Sequence, residues 1–449
     1  MKILDKKEPI LLFLGDILIF TLALWLSLSI RNLGFPSLDE FYNHLTPFSF
    51  IFLTWLFSFF IAGLYEKHTV MLKGRLPNII LKTQIFNSII AALFFYLIPY
   101  FGIAPKTMLF IYLFVSFCLI LAWRIYGESL FGIKEREKAI LIGSGEEMRD
   151  LKQEVNNNSR YSLEFVSSID LDKIDSLDFQ SEILDRVYAE DISIIVIDLL
   201  NKKVEPMLPH LYNLIFSKIK FVDMHKIYED IFDRVPLSLL KYNWFLENIS
   251  FAQKIGYDAF KRGMDIGLSF ILGIISVVFY PFAILFIKLD DGGPIFITQE
   301  RVGQNNKIIK IMKFRSMSVN DDGITEKEKN QKITRAGRFL RKTRIDELPQ
   351  LWSILKGDMS LVGPRPEMPS LVKLYEKEIS YYNIRHLIKP GLSGWAQLYH
   401  RTPPKFDTGS KETKTKLSYD LYYIKNHSFL LDLKIALKTL KALLSRSGV

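Results

Sequence analysis

The chain has 449 residues, 49% of them hydrophobic, and 58 Lys and Arg against 48 Asp and Glu give it a net charge of +10. That length accommodates two or three domains, and the charge calls for an anionic partner: nucleic acid, anionic lipid or a phosphorylated substrate. The single cysteine, Cys118, excludes a disulfide framework and any zinc site of CxxC spacing.

Four apolar stretches come first, near Ile10–Ile30, Pro47–Leu64, Ile85–Ile103 and Met108–Tyr126. Each approaches the ~20 residues a helix needs to cross the hydrocarbon core. The first follows Lys2, Lys6 and Lys7 as a signal peptide would, but it runs long, lacks a small-residue cleavage pattern and is followed by similar spans, so it reads as a retained helix. Residues 1–130 are therefore expected to form a bundle of four transmembrane helices. Asp16, inside the first span, reads as a structural contact of that bundle. Lys67, Lys73 and Arg75 follow the second span and Arg124, Lys134, Arg136 and Lys138 leave the fourth, whereas the other loops carry little more than Arg31 and Lys106. This alternation places the N-terminus and everything after the fourth span in the cytoplasm.

Residues 136–246 read as a small parallel α/β domain. Ala139–Ile142, Leu163–Ile169, Ile192–Ile197 and Ile219–Val222 have the composition of buried strands, and helix-compatible stretches separate them. Gly143-Ser144-Gly145 and Asp170 give half of a dinucleotide-binding fingerprint, but Met148 stands at the third glycine position. The expectation is a Rossmann-like scaffold that regulates or dimerises, followed by a linker over 247–258.

A fifth apolar run, Ile266–Ile287, is again long enough to span. Crossing would place outside the membrane a basic segment that begins with Arg301, Lys307, Lys310, Lys313 and Arg315, against the charge rule. Pro281 lies inside the run, and proline removes a helix hydrogen bond and bends the axis. A bent, re-entrant helix over 264–288, hinged at Pro281 and entered through Lys261 and Arg262 at the lipid phosphates, resolves the conflict. Near the C-terminus, Leu430, Leu433, Leu437, Leu440 and Leu444 share one helical face beside Lys434, Lys438 and Lys441, as in an interfacial helix or one packed on a core.

The densest chemistry runs from Arg335 to Arg365. Arg335, Arg338, Arg341, Lys342 and Arg344 lead into Asp346-Glu347-Leu348-Pro349-Gln350. Cations keep at least one adjacent carboxylate ionised, and an ionised Asp beside Mg²⁺ can attack phosphorus to give an acyl phosphate. Arginine forks suit phosphate oxygens. Gly363-Pro364-Arg365-Pro366 and Lys389-Pro390-Gly391-Leu392-Ser393-Gly394-Trp395 read as stiff loops.

These pieces resemble the bacterial sugar transferases, the monotopic phosphoglycosyl transferases, over Lys261–Leu444. The resemblance is carried by Lys261-Arg262 with Asp265, Gly293-Pro294-Ile295-Phe296, Gln299-Glu300-Arg301-Val302-Gly303, Lys313-Phe314-Arg315-Ser316-Met317 and the Asp346-Glu347 block. Gly357-Asp358-Met359-Ser360, Gly363-Pro364-Arg365-Pro366, Pro390-Gly391-Leu392-Ser393-Gly394 and Asp420-Leu421-Tyr422-Tyr423 continue it in order. The resemblance implies a mainly α-helical transferase domain over 259–449 that moves a phosphosugar from a UDP-sugar to polyprenyl phosphate and releases UMP. It implies a ping-pong course with Asp346 as nucleophile and Glu347 as its dyad partner. Lys313, Arg315, Arg341, Arg365 and Arg401 become phosphate ligands, and Asp346, Glu347 and Asp420 become Mg²⁺ ligands. His400, before Arg401, departs from the family's usual glycine. The long subgroup with four spans and a Rossmann-like domain initiates capsule, O-antigen or exopolysaccharide synthesis at the bacterial inner membrane, with membrane lipid and a homodimer as further partners and no nucleic acid. The rival readings are a non-enzymatic scaffold of polysaccharide assembly and a nucleotide-sugar-modifying Rossmann enzyme.

Overall fold

The computed structural model describes residues 8–65, 76–98, 106–130, 136–158, 161–173, 183–217, 219–249, 255–290, 292–317, 333–399 and 410–444. They fall into two compact units, Met1–Met224 and His225–Val449.

The first unit opens with α1 (Glu8–Asn32), α2 (Leu38–Ile61), α3 (Leu76–Leu97) and α4 (Lys106–Leu130), all long and apolar enough to cross a membrane. α2 begins nine residues before Pro47, because the Ser37 hydroxyl accepts from the Glu40 amide and starts the helix there. Aromatic rings fill the bundle interior: Phe20, Phe48, Trp55, Phe59 and Tyr112 are buried together. Asp16 is fully buried, ion-paired with Arg124 and hydrogen-bonded by the Tyr65 hydroxyl at 2.7 Å. It is a structural contact, and removing one partner of such a pair costs about 3–5 kcal/mol.

The same unit continues with a four-stranded parallel sheet of order β2-β1-β3-β4. Its elements are β1 (Glu137–Gly143), α5 (Gly145–Asn157), β2 (Leu163–Asp170), α6 (Asp185–Ala189), β3 (Ile194–Ile197), α7 (Leu208–Leu214) and β4 (Lys220–Asp223). Ile194–Ile197 is buried at every position, as a strand covered on both faces must be.

The second unit begins earlier in the chain than its sequence suggests. After α8 (Met224–Phe232) and α9 (Tyr242–Asn248), Val235 and Trp244 join a core with Val302, Val372, Tyr375 and Leu421. Polar contacts fix the same strap: Trp395 Nε1 donates to the Asp233 carbonyl at 2.8 Å, Val235 N to the Ser418 carbonyl at 3.2 Å, and Lys425 pairs with Glu229 at 2.8 Å. Residues 225–246, expected to close the α/β domain, therefore pack on the C-terminal unit.

The fifth apolar run forms α10 (Ile255–Val277) and α11 (Tyr280–Asp290), bent by 53° across the break. Pro281 sits in the first turn of α11, where its missing N–H costs nothing and its ring cannot continue α10. Most of α10's large side chains, among them Phe270, Ile271, Ile274 and Ile275, are exposed. An antiparallel hairpin, β5 (Phe296–Val302) and β6 (Ile308–Phe314), follows. Then come α12 (Arg335–Thr343), α13 (Gln350–Lys356), β7 (Ser360–Val362), α14 (Pro369–Glu378), β8 (Gly391–Ser393), α15 (Trp395–Tyr399), α16 (Ser410–Asn426) and α17 (Phe429–Leu444). In α17, Asp432 and Ile435 are buried while Leu430, Leu433 and Leu440 are exposed, so the leucine face does not pack on the core.

Candidate active site

Three pieces of local structure bring the acidic-basic block to one cavity. In the β5–β6 hairpin, residues two apart share a face, so Gln299 and Arg301 line the cavity beside Ile311 and Lys313 of the partner strand. α12 starts on Thr334, whose hydroxyl accepts from Gly337 N at 2.9 Å, while Asp290 accepts from Ala336 N at 2.8 Å. Its last turn delivers Arg341, and Arg344 then turns the chain into a short 3-10 segment, Ile345–Glu347. The Gly363-Pro364-Arg365-Pro366 turn and the start of β8 close the far wall; a Cβ at Gly391 would overlap the Gly363 backbone, so the two loops meet this closely only as glycines.

The cavity holds about 190 Å³ and is lined by Arg301, Lys313, Arg341, Arg344 and Arg365 around Asp346 and Glu347. That is below the ~300–1,000 Å³ of a typical small-molecule site, which suits phosphates inside with the rest of a ligand across the open mouth. Glu347 accepts from Arg365 at 3.0 Å and pairs with Arg344 at 3.4 Å. Burial works against its charge, but these two guanidiniums hold its carboxyl below the usual range. Asp346 is buried, and among the described residues its Oδ1 has no hydrogen-bond partner. Burial, and then the charge of Glu347, push its carboxyl up to about 6 against the pull of Lys313, Arg341 and Arg344. The two adjacent carboxylates thus have divided environments: Glu347 is held as an anion and Asp346 is the more basic.

Behind the Arg365 turn lies a buried charge network that the sequence did not disclose. Arg385 donates to the Arg365 carbonyl at 2.9 Å and pairs with Asp420 at 2.8 Å and Glu367 at 3.6 Å. Lys416 also pairs with Glu367. Burial opposes ionisation of Glu367, yet Lys416 and Arg385 bring its carboxyl down to about 2. No spacing rule links Arg385 to Asp420 and Glu367; the only signal was an acidic residue directly after the proline-rich turn.

Of the residues singled out from sequence, Lys313, Arg341, Asp346, Glu347 and Arg365 meet at the cavity. Asp420 does not, because its buried carboxylate is engaged by Arg385. Arg315 is buried beneath Gly293 and is not on the cavity wall. Arg401 and His400 lie outside the described residues. Lys261, expected at lipid phosphates, is paired with Asp432 at 2.7 Å, and Arg262 donates to the Ile354 and Leu355 carbonyls at 2.7 Å, closing the end of α13. Pro281 lies at the bend, not at the cavity.

Known proteins share this C-terminal pattern. The sequence profile of the bacterial sugar transferase family matches residues 256–446. The chain is 42% identical over 196 residues to the UDP-N-acetylgalactosamine-undecaprenyl-phosphate N-acetylgalactosaminephosphotransferase of Aeromonas hydrophila, covering 43% of this chain and 45% of that protein. It is 42% identical over 194 residues to the UDP-glucose:undecaprenyl-phosphate glucose-1-phosphate transferase of Klebsiella pneumoniae, covering 42% and 41%. The chain thus spans less than half the length of these two relatives. It is also 39% identical over 193 residues to the exopolysaccharide production protein PSS of Rhizobium leguminosarum bv. phaseoli, covering 41% of this chain but 96% of that protein. With nearly the whole of that relative covered, and with the family profile spanning every cavity-lining residue, the chain belongs to the bacterial sugar transferase family.

Proposed function

We propose that the chain is a phosphoglycosyl transferase that moves a sugar-1-phosphate from a UDP-sugar to polyprenyl phosphate, undecaprenyl phosphate by analogy with its relatives, and releases UMP. The observation that carries this reading is Asp346: a buried carboxylate with an unpartnered oxygen, set in a cavity of five cations. In the first half-reaction an Asp346 oxygen attacks the sugar-bearing phosphorus. The bond from that phosphorus to the bridging oxygen breaks, and UMP leaves with its charge met by the guanidiniums. In the second, a phosphate oxygen of the lipid attacks the same phosphorus, the Asp346–phosphorus bond breaks, and the carboxylate is restored. Glu347 stays anionic and holds Arg365 in place.

Mg²⁺ fits part of the expected donor set. Asp346 has an unpartnered oxygen and Glu347 adjoins it, so these two with substrate phosphate oxygens would hold the ion. Asp420, engaged by Arg385, would not. When bound, the ion would neutralise charge on the phosphates.

The remaining features give the setting. The exposed apolar surface of α10 and the bend at Pro281 support a re-entrant helix, and the exposed leucines of α17 support an interfacial one. The catalytic unit would then face the cytoplasm at a bacterial inner membrane. The parallel sheet supports a Rossmann-like scaffold, which would serve regulation or a homodimer. Initiation of capsule, O-antigen or exopolysaccharide synthesis is the matching role.

The test omits the lipid. Wild-type protein with UDP-sugar and Mg²⁺ should release up to one equivalent of UMP and add one phosphosugar to the peptide that carries Asp346. UMP that appears only with polyprenyl phosphate, and no adduct, would favour direct transfer.

A further inference from the structure

The chain enters the Asp346 segment through a backbone conformation that arginine rarely adopts. Arg344 has φ 58° and ψ 16°, in the left-handed region. There the Cβ of an L residue crowds the following carbonyl, at a cost of roughly 1–2 kcal/mol. The place just past a helix usually falls to glycine for this reason. The same chain follows that rule one helix later, where Gly357 closes α13 with φ 100°. At the end of α12 it does not, nor does it at Leu33 after α1 (φ 52°) or Asp233 after α8 (φ 51°), but of these three Arg344 alone lines the cavity.

The side chain of Arg344 is 40% exposed, and among the described residues its ion pair is with Glu347 at 3.4 Å. Arg365 holds the same Glu347 oxygen more closely, at 3.0 Å. Glu347 therefore keeps a guanidinium if Arg344 leaves. The backbone of Arg344 has its own work: its N–H bonds the Arg341 carbonyl at 3.3 Å and its carbonyl accepts from Glu347 N at 3.2 Å. Glycine or asparagine could do all of that with less strain. A strained residue retained at a site wall points to use of its side chain.

We propose that Arg344 is a phosphate ligand that moves off Glu347 onto the diphosphate of an entering substrate, leaving Arg365 to hold the dyad. The assignment rests on the phosphosugar-transfer reading. The half-exposed guanidinium gives up one long contact and gains a charge-assisted, two-pronged one, and its swing brings a further positive charge to the leaving group as the cavity fills.

The experiment uses the full chain in nanodiscs with inorganic pyrophosphate as the probe. Binding is read by calorimetry and the unfolding midpoint by thermal melt, for wild type, Arg344→Gly, Arg344→Asn and Arg344→Lys. We expect Arg344→Gly to melt at or above the wild-type temperature and to bind pyrophosphate at least tenfold more weakly. KM for the UDP-sugar should rise more than kcat falls, and Arg344→Lys should recover part of the affinity. Should Arg344→Gly fail to fold, Arg344→Asn, which tolerates the same φ, carries the same expectation. Pyrophosphate affinity within twofold of wild type in the Gly or Asn variant overturns the assignment, as does a wild type that binds none. Loss of melting temperature in step with affinity in both variants makes Arg344 a structural cap and also overturns it. A wild type that binds pyrophosphate through Arg344 yet releases no UMP from any UDP-sugar would sink the transfer reading and leave the ligand assignment standing.

Discussion

Two turns in this chain look like phosphate cradles, and only one has the charges for it. After β1, Gly143-Ser144-Gly145 leads into α5 through a left-handed glycine, φ 81°. After α12, Arg344 leads into the Asp346 segment through the same kind of turn. The first opens on Glu146 and Glu147, the Ser144 hydroxyl accepts from Asn201 at 3.2 Å, and Met148 is buried where a third glycine would lie. The second is ringed by five cations. Acidic residues in a first turn complement the helix dipole, each contributing about 0.3–1 kcal/mol, so the first turn is arranged for the stability of α5. Crowded guanidiniums repel one another, so the second is arranged for an anion at some cost to the fold. A glycine turn supplies conformation; the sign of the potential decides whether phosphate stays.

The sharpest way to break this contrast is at the proposed nucleophile. Asp346→Asn keeps shape and loses the anion, so UMP release should fall on the order of 10³-fold or more. The unfolding midpoint should hold or rise, because a carboxylate whose charge burial and Glu347 oppose is gone. A variant that keeps a tenth of the activity would remove Asp346 from the chemistry.

The next effect should come from behind the cavity. Glu367→Gln leaves Lys416 and Arg385 short of an anion, and breaking a buried network of this kind costs about 3–5 kcal/mol. Because Arg385 also holds the Arg365 carbonyl, activity should drop alongside the chemical-denaturation midpoint. An unchanged midpoint would show that the network bears no weight.

Much of this architecture was legible in sequence. Apolar length marked α1 to α4, and runs of Ile and Val marked the strands of the α/β sheet to within about two residues. The Asp346 block was legible because its cations and carboxylates are neighbours in the chain. What stayed hidden was held by partners far apart in sequence. Residues 225–249 read as domain end and linker, because Asp233 and Glu229 show no periodicity and their partners Trp395 and Lys425 come much later. Lys261 and Arg262 beside an apolar run look like lipid anchors until Asp432 and the end of α13 are placed next to them. The pairing of Asp420 with Arg385 stayed hidden for the same reason: the two share no motif.

The acid limb of activity gives a smaller, graded effect. The carboxyl of Asp346 is raised to about 6, and in the proposed reaction only its ionised form attacks phosphorus. As pH falls through that value the nucleophile gains a proton and the rate should drop, approaching tenfold per unit below it. At limiting Mg²⁺ the limb of kcat/KM should therefore lie above the ordinary aspartate value of ~4, toward 6, and Mg²⁺ held by the dyad would lower it. Glu347→Gln removes the neighbouring charge that helps hold Asp346 up, so in whatever activity remains the limb should move to lower pH. A limb near 4 in wild type even at limiting Mg²⁺ would mean that the burial of Asp346 does not persist in solution.

The smallest effect tests the other half of the contrast. Glu146→Lys with Glu147→Lys reverses the charge at the start of α5 and leaves its glycine turn in place. Placing two cations against the positive end of a helix should destabilise it by about 1–2 kcal/mol in total. UMP release should stay within twofold, since the chemistry assigned to the cavity uses none of these residues. Pyrophosphate titration sharpens the comparison. Wild type should bind one equivalent, and the reversed variant a second, weaker one, because the repulsion at the positive end of α5 is then gone. If the stoichiometry stays at one, the difference between the two turns is not charge. It is closure, by Asn201 on Ser144 and Met148 in the core, and the acidic pair is there for the helix alone.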